Sequence, residues 1–118
     1  MMKFFLGFKY ALSGWKILFT SERNAKVHLL AALITLGLSF YLPLNYLEWS
    51  LIILCIAIVL AAEGMNTAIE ALANRITKDE DYHIKLAKDL AAGAVLFISF
   101  GAAMVGLLIL LPKLISTF

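Results

Sequence analysis

A stretch of 25 residues from Trp49 to Ala73 is almost entirely apolar and carries only two charged side chains, Glu63 and Glu70. About 20 apolar residues are enough to cross the hydrocarbon core of a bilayer as a helix. Lipid offers the backbone no hydrogen-bond partners, so a single segment of this kind has to be helical. The stretch therefore predicts a transmembrane helix. Its two carboxylates mark a candidate site, because a charge near mid-membrane costs about 2.5–3.5 kcal/mol on insertion scales.

Two further apolar runs, at about 29–47 and 90–111, are also long enough to span a membrane, and 63% of the 118 residues are hydrophobic. Before them, from about 4 to 26, apolar and aromatic residues recur every three or four positions with basic residues between them. This pattern predicts an amphipathic helix on the membrane surface. We predict an all-α integral membrane protein, one domain over residues 1–118, with an N-terminal amphipathic surface helix plus three transmembrane helices.

The basic residues indicate how the chain is oriented. Five of the ten precede the first span and four lie between the second and the third. By the positive-inside rule we expect the N-terminus and the 74–89 loop in the cytoplasm. These charges flank membrane segments and do not form one patch, so anionic lipid explains them and nucleic-acid binding is not indicated. The single cysteine, Cys55, excludes a disulfide framework within the chain.

Four polar residues of the central stretch share one helical stripe, because they occur at i, i+3, i+4 and i+7: Glu63, Asn66, Thr67 and Glu70. Carboxylate oxygens are ligands for Mg²⁺, a nearby lysine offsets phosphate charge, and a deep carboxylate can take a proton from a hydroxyl. Phosphoryl transfer to a lipid hydroxyl would use all three. Buried acids on one stripe serve a small proton-coupled transporter equally well. A non-catalytic scaffold, whose acids only specify assembly, is a third alternative.

Other residues carry weaker signals. No GxxxxGK[ST] motif occurs, which excludes a P-loop enzyme. His28 and His83 are not in metal-ligand spacing, so we interpret both as interfacial histidines and expect no zinc chemistry. Lys88 could simply extend its amine to the membrane interface. Glu22, an acid in a basic segment, fits either a place near Glu70 or a salt bridge with a lysine four residues on.

Four motifs carry a resemblance to a known family: ERN at 22–24, EGMNTAIE at 63–70, AKDLAAGAV at 87–95 and LLPKL at 110–114. In this order they closely resemble the bacterial diacylglycerol kinase and undecaprenol kinase family over nearly the whole chain. The resemblance favours a kinase over a transporter. It implies ATP-dependent phosphorylation of the hydroxyl of a membrane lipid alcohol, undecaprenol or diacylglycerol. It further implies a homotrimer in the bacterial inner membrane that uses Mg²⁺.

The resemblance also implies roles for individual residues. Glu63 would be the general base and Asn66 the polar neighbour that orients the reacting groups. Six residues would bind ATP, of which Glu22 and Glu70 would also hold the metal: Lys3, Tyr10, Glu22, Glu70, Lys88 and Asp89. The chain departs from the family pattern twice. Asn74 stands where an aspartate is expected, and His28 stands where the diacylglycerol-specific branch tends to carry an acid, which favours the undecaprenol branch.

Overall fold

The computed structural model describes all of residues 1–118 and contains four α-helices and no strand. They are α1 (Met2–Ser21), α2 (Arg23–Tyr41), α3 (Tyr46–Ile76) and α4 (Tyr82–Thr117). Helices α2, α3 and α4 are long and apolar enough to cross a membrane, whereas α1 is not among the candidate spans. The predicted fold class, an all-α membrane protein with three spans and an N-terminal helix, is confirmed.

The helices form an open bundle. The most extensive contact joins α3 and α4, which a five-residue loop connects as an antiparallel pair. Helix α2 packs mainly on α3, while α1 contacts α2 and α3 but not α4. Helix α4 has 36 residues, about 54 Å at the usual helical rise, and the longest dimension of the molecule is also 54 Å. It therefore runs the full length of the molecule.

Most side chains face outward. Only 10 of 118 residues are buried, and none of the most apolar window of α4 is. Large exposed apolar residues follow one face of α4, including Leu90, Phe97, Met104 and Leu108. Soluble monomers rarely expose apolar patches larger than a few hundred Å². Lipid or another protein surface must therefore cover these faces.

The junction between α1 and α2 differs from the predicted surface helix at 4–26. Helix α1 ends at Ser21, and Glu22 is extended, with φ −96° and ψ 118°. The hydroxyls of Thr20 and Ser21 donate to backbone carbonyls of the preceding turn, a local bonding that often bends helices. The only buried residue of α1 is Leu18, and a Cβ placed on Gly64 of α3 would lie 3.7 Å from Leu18 Cδ2.

The turn between α2 and α3 also shifts the predicted bounds. We predicted spans at about 29–47 and 49–73, whereas α2 ends at Tyr41 and α3 begins at Tyr46. Pro43 disfavours helical backbone at the residue before it, and Leu42 is extended. Asn45 then caps α3: its side chain accepts from the Glu48 N–H at 2.9 Å, and its own N–H donates to Glu48 Oε1 at 3.0 Å. This reciprocal capping box satisfies two free N–H groups and fixes where α3 starts.

Helix α4 extends beyond the predicted span of 90–111 at both ends. It starts at Tyr82, where the Asp81 side chain accepts from the Ile84 N–H at 3.1 Å. Near its other end it continues through Pro112, the residue that directly follows the predicted span. Lys113 Nζ lies 3.2 Å from Glu48 Oε1 and ties this last part of α4 to the first turn of α3.

Candidate active site

The polar stripe of α3 faces the inside of the bundle. Glu63 is 2% exposed and Asn66 is 7% exposed, whereas Glu70 is half-buried. Asn66 Nδ2 donates to Glu70 Oε1 at 3.3 Å. The Asn66 Oδ1 and Thr67 Oγ1 atoms are buried and have no partner. Buried polar atoms are normally hydrogen-bonded, so these two are available to a bound ligand.

Glu63 meets a side chain that we had assigned no role. His28 of α2 places its Nδ1 atom 3.1 Å from Glu63 Oε2. By distance this is an ion pair when the imidazole is protonated, but the N–H is not aligned for a hydrogen bond, and neither atom has another partner. The interpretation of His28 as merely interfacial is therefore incomplete. The contact joins two helices, and no spacing along one helix could have revealed it.

Lys88 of α4 is half-buried and also contacts the α3 stripe. Its Nζ donates to Asn74 Oδ1, and Asn74 lies four residues beyond Glu70. Because a residue of α3 binds this amine, extension of Lys88 toward water at the membrane interface does not by itself account for its position. Asp89 is exposed and pairs with Lys85 one turn earlier at 2.6 Å, a surface contact of the kind that adds little stability.

The structure does not bring all predicted site residues together within one chain. Lys3 and Tyr10 are exposed on α1, which does not contact α4. Glu22 is half-buried in the extended junction and forms no ion pair, so the alternative salt bridge with Lys26 is absent. No three His, Cys, Asp or Glu side chains converge.

The donor set near Glu70 nevertheless suits Mg²⁺. Asn66 donates a hydrogen bond to Glu70 Oε1 through Nδ2, while its own Oδ1 atom has no partner. Asn66 Oδ1 and Glu70 Oε1 are both hard oxygen ligands for a cation. Mg²⁺ is usually held by one or two carboxylates, with substrate phosphates and waters completing its shell. Glu70 would supply one such carboxylate.

An apolar cavity of about 520 Å³ lies between α2, α3 and α4. This volume falls within the roughly 300–1,000 Å³ of small-molecule sites. Three of the lining residues mark one end of the cavity: His28 on α2, Leu60 on α3 and Ser99 on α4. Leu60 is three residues before Glu63, so one end of the cavity comes within a helical turn of the buried carboxylate.

A helical membrane protein whose apolar cavity ends within a helical turn of a buried carboxylate is suited to an amphiphilic ligand. Comparison with known proteins defines the class further. Residues 9–110 match the family described as prokaryotic diacylglycerol kinase. The chain is 41% identical over 113 residues to the undecaprenol kinase of Bacillus subtilis (strain 168), covering 95% of this chain and 91% of that one.

Two proteins named diacylglycerol kinase are also similar. The identity is 34% over 113 residues for that of Synechocystis sp. (94% of this chain, 64% of the relative). It is 31% over 87 residues for that of Haemophilus influenzae (74% of each). The chain belongs to the prokaryotic diacylglycerol kinase family and is a membrane lipid kinase. The resemblance is confirmed, and the transporter alternative is not favoured.

Proposed function

We propose that this protein transfers the γ-phosphoryl group of ATP to the hydroxyl of a membrane lipid alcohol, and that this alcohol is undecaprenol in preference to diacylglycerol. The observation that carries the proposal is a fully buried carboxylate, Glu63, one helical turn from the end of an apolar cavity. A lipid chain in the cavity would bring its hydroxyl to that end. The 41% identity to a protein named undecaprenol kinase supports the choice of lipid.

Glu63 acts as the general base of this reaction. As the lipid oxygen attacks the γ-phosphorus, the O–H bond breaks, the proton leaves toward Glu63, and ADP departs with the electron pair of the bridging oxygen. Asn66, one turn along the stripe and bonded to Glu70 at 3.3 Å, orients the reacting groups. Phosphoryl transfer needs little covalent participation from the protein, so that catalysis rests on positioning and charge.

Glu70 and Glu22 would hold Mg²⁺, which would supply positive charge against the triphosphate when bound. Lys88 lies beside the phosphates, and Asp89, Lys3 and Tyr10 complete the nucleotide site. Glu70 is seven residues from Glu63, about 10 Å along the helix. At this distance one metal ion cannot bind both Glu63 and Glu70. The carboxylate that holds the metal and the carboxylate that takes the proton are therefore at different places along the stripe.

The active unit is a homotrimer in the bacterial inner membrane, with the N-terminus and the α3–α4 loop in the cytoplasm. Two observations support a site shared between copies. Only 10 of 118 residues are buried in one chain, and α1, which carries Tyr10, does not contact α4, which carries Lys88. If α1 and α4 came from neighbouring copies, Tyr10 and Lys88 would reach the same nucleotide. Reconstituting Tyr10→Ala with Lys88→Met protein tests this, because a mixed assembly would contain sites in which an intact Tyr10 and an intact Lys88 come from different copies. Such assemblies should regain activity that neither variant has alone.

The chemistry is tested with purified protein in nanodiscs that contain undecaprenol, diacylglycerol or neither lipid. ADP release and the phosphorylated lipid are measured together. We expect both to depend on the added alcohol, with a higher kcat/KM for undecaprenol. Equal or better use of diacylglycerol would contradict the choice of lipid. ADP release without any phosphorylated lipid would overturn the proposed reaction itself.

A further inference from the structure

The apolar cavity between α2, α3 and α4 is elongated. Its lining on α4 runs from Ser99 to Leu114, about 22 Å along the helix axis. On α2 it runs from His28 to Leu38, about 15 Å. The end at His28 and Ser99, here called the near end, is the one beside Glu63, and the other end lies toward the α2–α3 turn. A ligand that fills this space is therefore long, with one end close to the buried carboxylate.

The volume and the length of the cavity agree on how much hydrocarbon it holds. A protein cavity of about 150 Å³ accepts benzene, with its six carbons. In proportion, a cavity of about 520 Å³ has room for about 20 carbons. An extended chain advances about 3.3–3.6 Å over three bonds, so a length of about 15–22 Å corresponds to roughly 13–19 carbons in single file. One extended chain accounts for the whole volume and leaves no room for a second chain beside it.

A buried hydroxyl without a partner lies at the near end. The Ser99 Oγ atom is buried and forms no hydrogen bond, although buried polar atoms normally have a partner. The other hydroxyl in the lining, that of Thr35, already donates to the Ala31 carbonyl at 2.8 Å. The free polar group is therefore at the same end as Glu63. This arrangement matches a molecule with one hydroxyl at the end of one long apolar chain.

We infer that this cavity selects the lipid alcohol by the shape of its chain, and that it takes a single prenyl chain over about 20 carbons, or about four isoprene units. The inference rests on the proposed function and assigns the part of the protein that chooses the substrate. Lipid tails are as apolar as the cavity lining, so a chain that enters from the membrane gains little from the hydrophobic effect. Selection rests on fit. Diacylglycerol carries two chains, and the cavity has room for only one of them.

Gly106 of α4 keeps the far part of the cavity open. It belongs to the lining, and a Cβ added there would meet nothing within 4 Å. A larger side chain would therefore occupy cavity space without pressing on a neighbouring helix. Gly106 is seven residues beyond Ser99, about 10 Å along α4, which an extended chain covers with roughly nine carbons. A short alcohol ends before this point, whereas a longer one has to pass it.

Gly106→Leu tests this passage, and Gly101→Leu is the matched control. Gly101 is on the same helix, is exposed and lies outside the lining, and a Cβ there also meets nothing within 4 Å. Both variants gain the same helix propensity. Phosphorylation is measured in nanodiscs with geraniol, geranylgeraniol and undecaprenol, which have two, four and eleven isoprene units, and with diacylglycerol. Calorimetric Mg-ATP binding counts the folded sites.

We expect the wild-type kcat/KM to rise from geraniol to geranylgeraniol and then to level off, because the cavity is full, and to be lower for diacylglycerol. Gly106→Leu should lower kcat/KM for the two longer prenols by on the order of 10-fold, the scale of an overpacked apolar site, and leave geraniol unchanged. Gly101→Leu should match wild type with every alcohol. Equal losses for geraniol and the longer prenols in Gly106→Leu, or no loss for any of them, would overturn the inference.

Cys55 gives a measure of occupancy that does not depend on catalysis. It is the only cysteine of the chain and lines the cavity. Without ATP, geranylgeraniol should slow the alkylation of Cys55 by N-ethylmaleimide in the wild type, and should slow it less in Gly106→Leu. An alkylation rate that geranylgeraniol leaves unchanged would overturn the inference even if the lipid is phosphorylated. Shielding of Cys55 in a wild type that forms no phosphorylated lipid would instead reject the kinase proposal and keep the chain site.

Discussion

Replacing Lys88 by methionine tests the phosphate end of the site. The half-buried Lys88 gives one of its three N–H donors to Asn74 Oδ1, which leaves two for a phosphate. Methionine has a similar length, so packing is kept while the charge is lost. Removing one donor from developing charge typically lowers kcat by about 10²–10³-fold, or about 2.7–4 kcal/mol. We expect a loss of that size in lipid phosphorylation.

The assay follows phosphorylated undecaprenol in nanodiscs, with Mg-ATP affinity measured separately by calorimetry. Lys78→Met is the matched control, since Lys78 is exposed in the α3–α4 loop and forms no ion pair. Losing an exposed charge of this kind has little effect, so kcat should stay within a few-fold of wild type. Normal turnover in Lys88→Met would refute the reasoning and reduce Lys88 to a link between α3 and α4.

Three further predictions concern α3 and the α1–α2 junction. Glu63→Gln should lower lipid phosphorylation by on the order of 10²-fold while calorimetry still detects Mg-ATP binding; loss of binding as well would place Glu63 in the nucleotide site. Glu70→Gln and Glu22→Gln should each raise the Mg²⁺ concentration needed for half-maximal activity, because each removes a hard oxygen ligand; unchanged Mg²⁺ titrations for both would contradict the metal assignment. Asn45→Ala should reduce the free energy of unfolding by about 0.5–2 kcal/mol, through loss of the capping box, with kcat unchanged; unaltered stability would show that the turn is held by other contacts.

The number of helices and the site-bearing helix were predictable because hydrophobic length is a strong signal. Helix ends were harder to predict. The extended backbone at Glu22 lies inside one continuous amphipathic pattern and arises where α1 turns to pack Leu18 against Gly64. Pro112 is a helix breaker by sequence rules, yet α4 continues through it. Membrane helices tolerate proline when neighbouring groups bind the backbone carbonyl that proline leaves without a donor. The ion pair between Lys113 and Glu48 also holds this turn of α4 against α3.

Within the site, spacing along α3 identified the stripe, since i, i+3, i+4 and i+7 positions share a face in any helix. Contacts between helices could not be read in this way. The approach of His28 to Glu63 joins residues 35 positions apart, and the bond from Lys88 to Asn74 depends on how α4 lies against α3. The unexpected asparagine at position 74 thus keeps an acceptor oxygen for Lys88 without the charge of an aspartate.

The order of polar groups along α3 restricts how the reaction can run. His28 contacts the stripe at Glu63, beside the apolar cavity, and Lys88 contacts it at Asn74. These two α3 positions are 11 residues apart, about 16 Å along the axis. The hydroxyl and the γ-phosphorus must come to about 3–3.5 Å before transfer. In the proposed reaction, a nucleotide held at Lys88 alone would leave its terminal phosphate too far from the cavity. The triphosphate would therefore extend along the stripe toward Glu63, past Glu70 and Asn66.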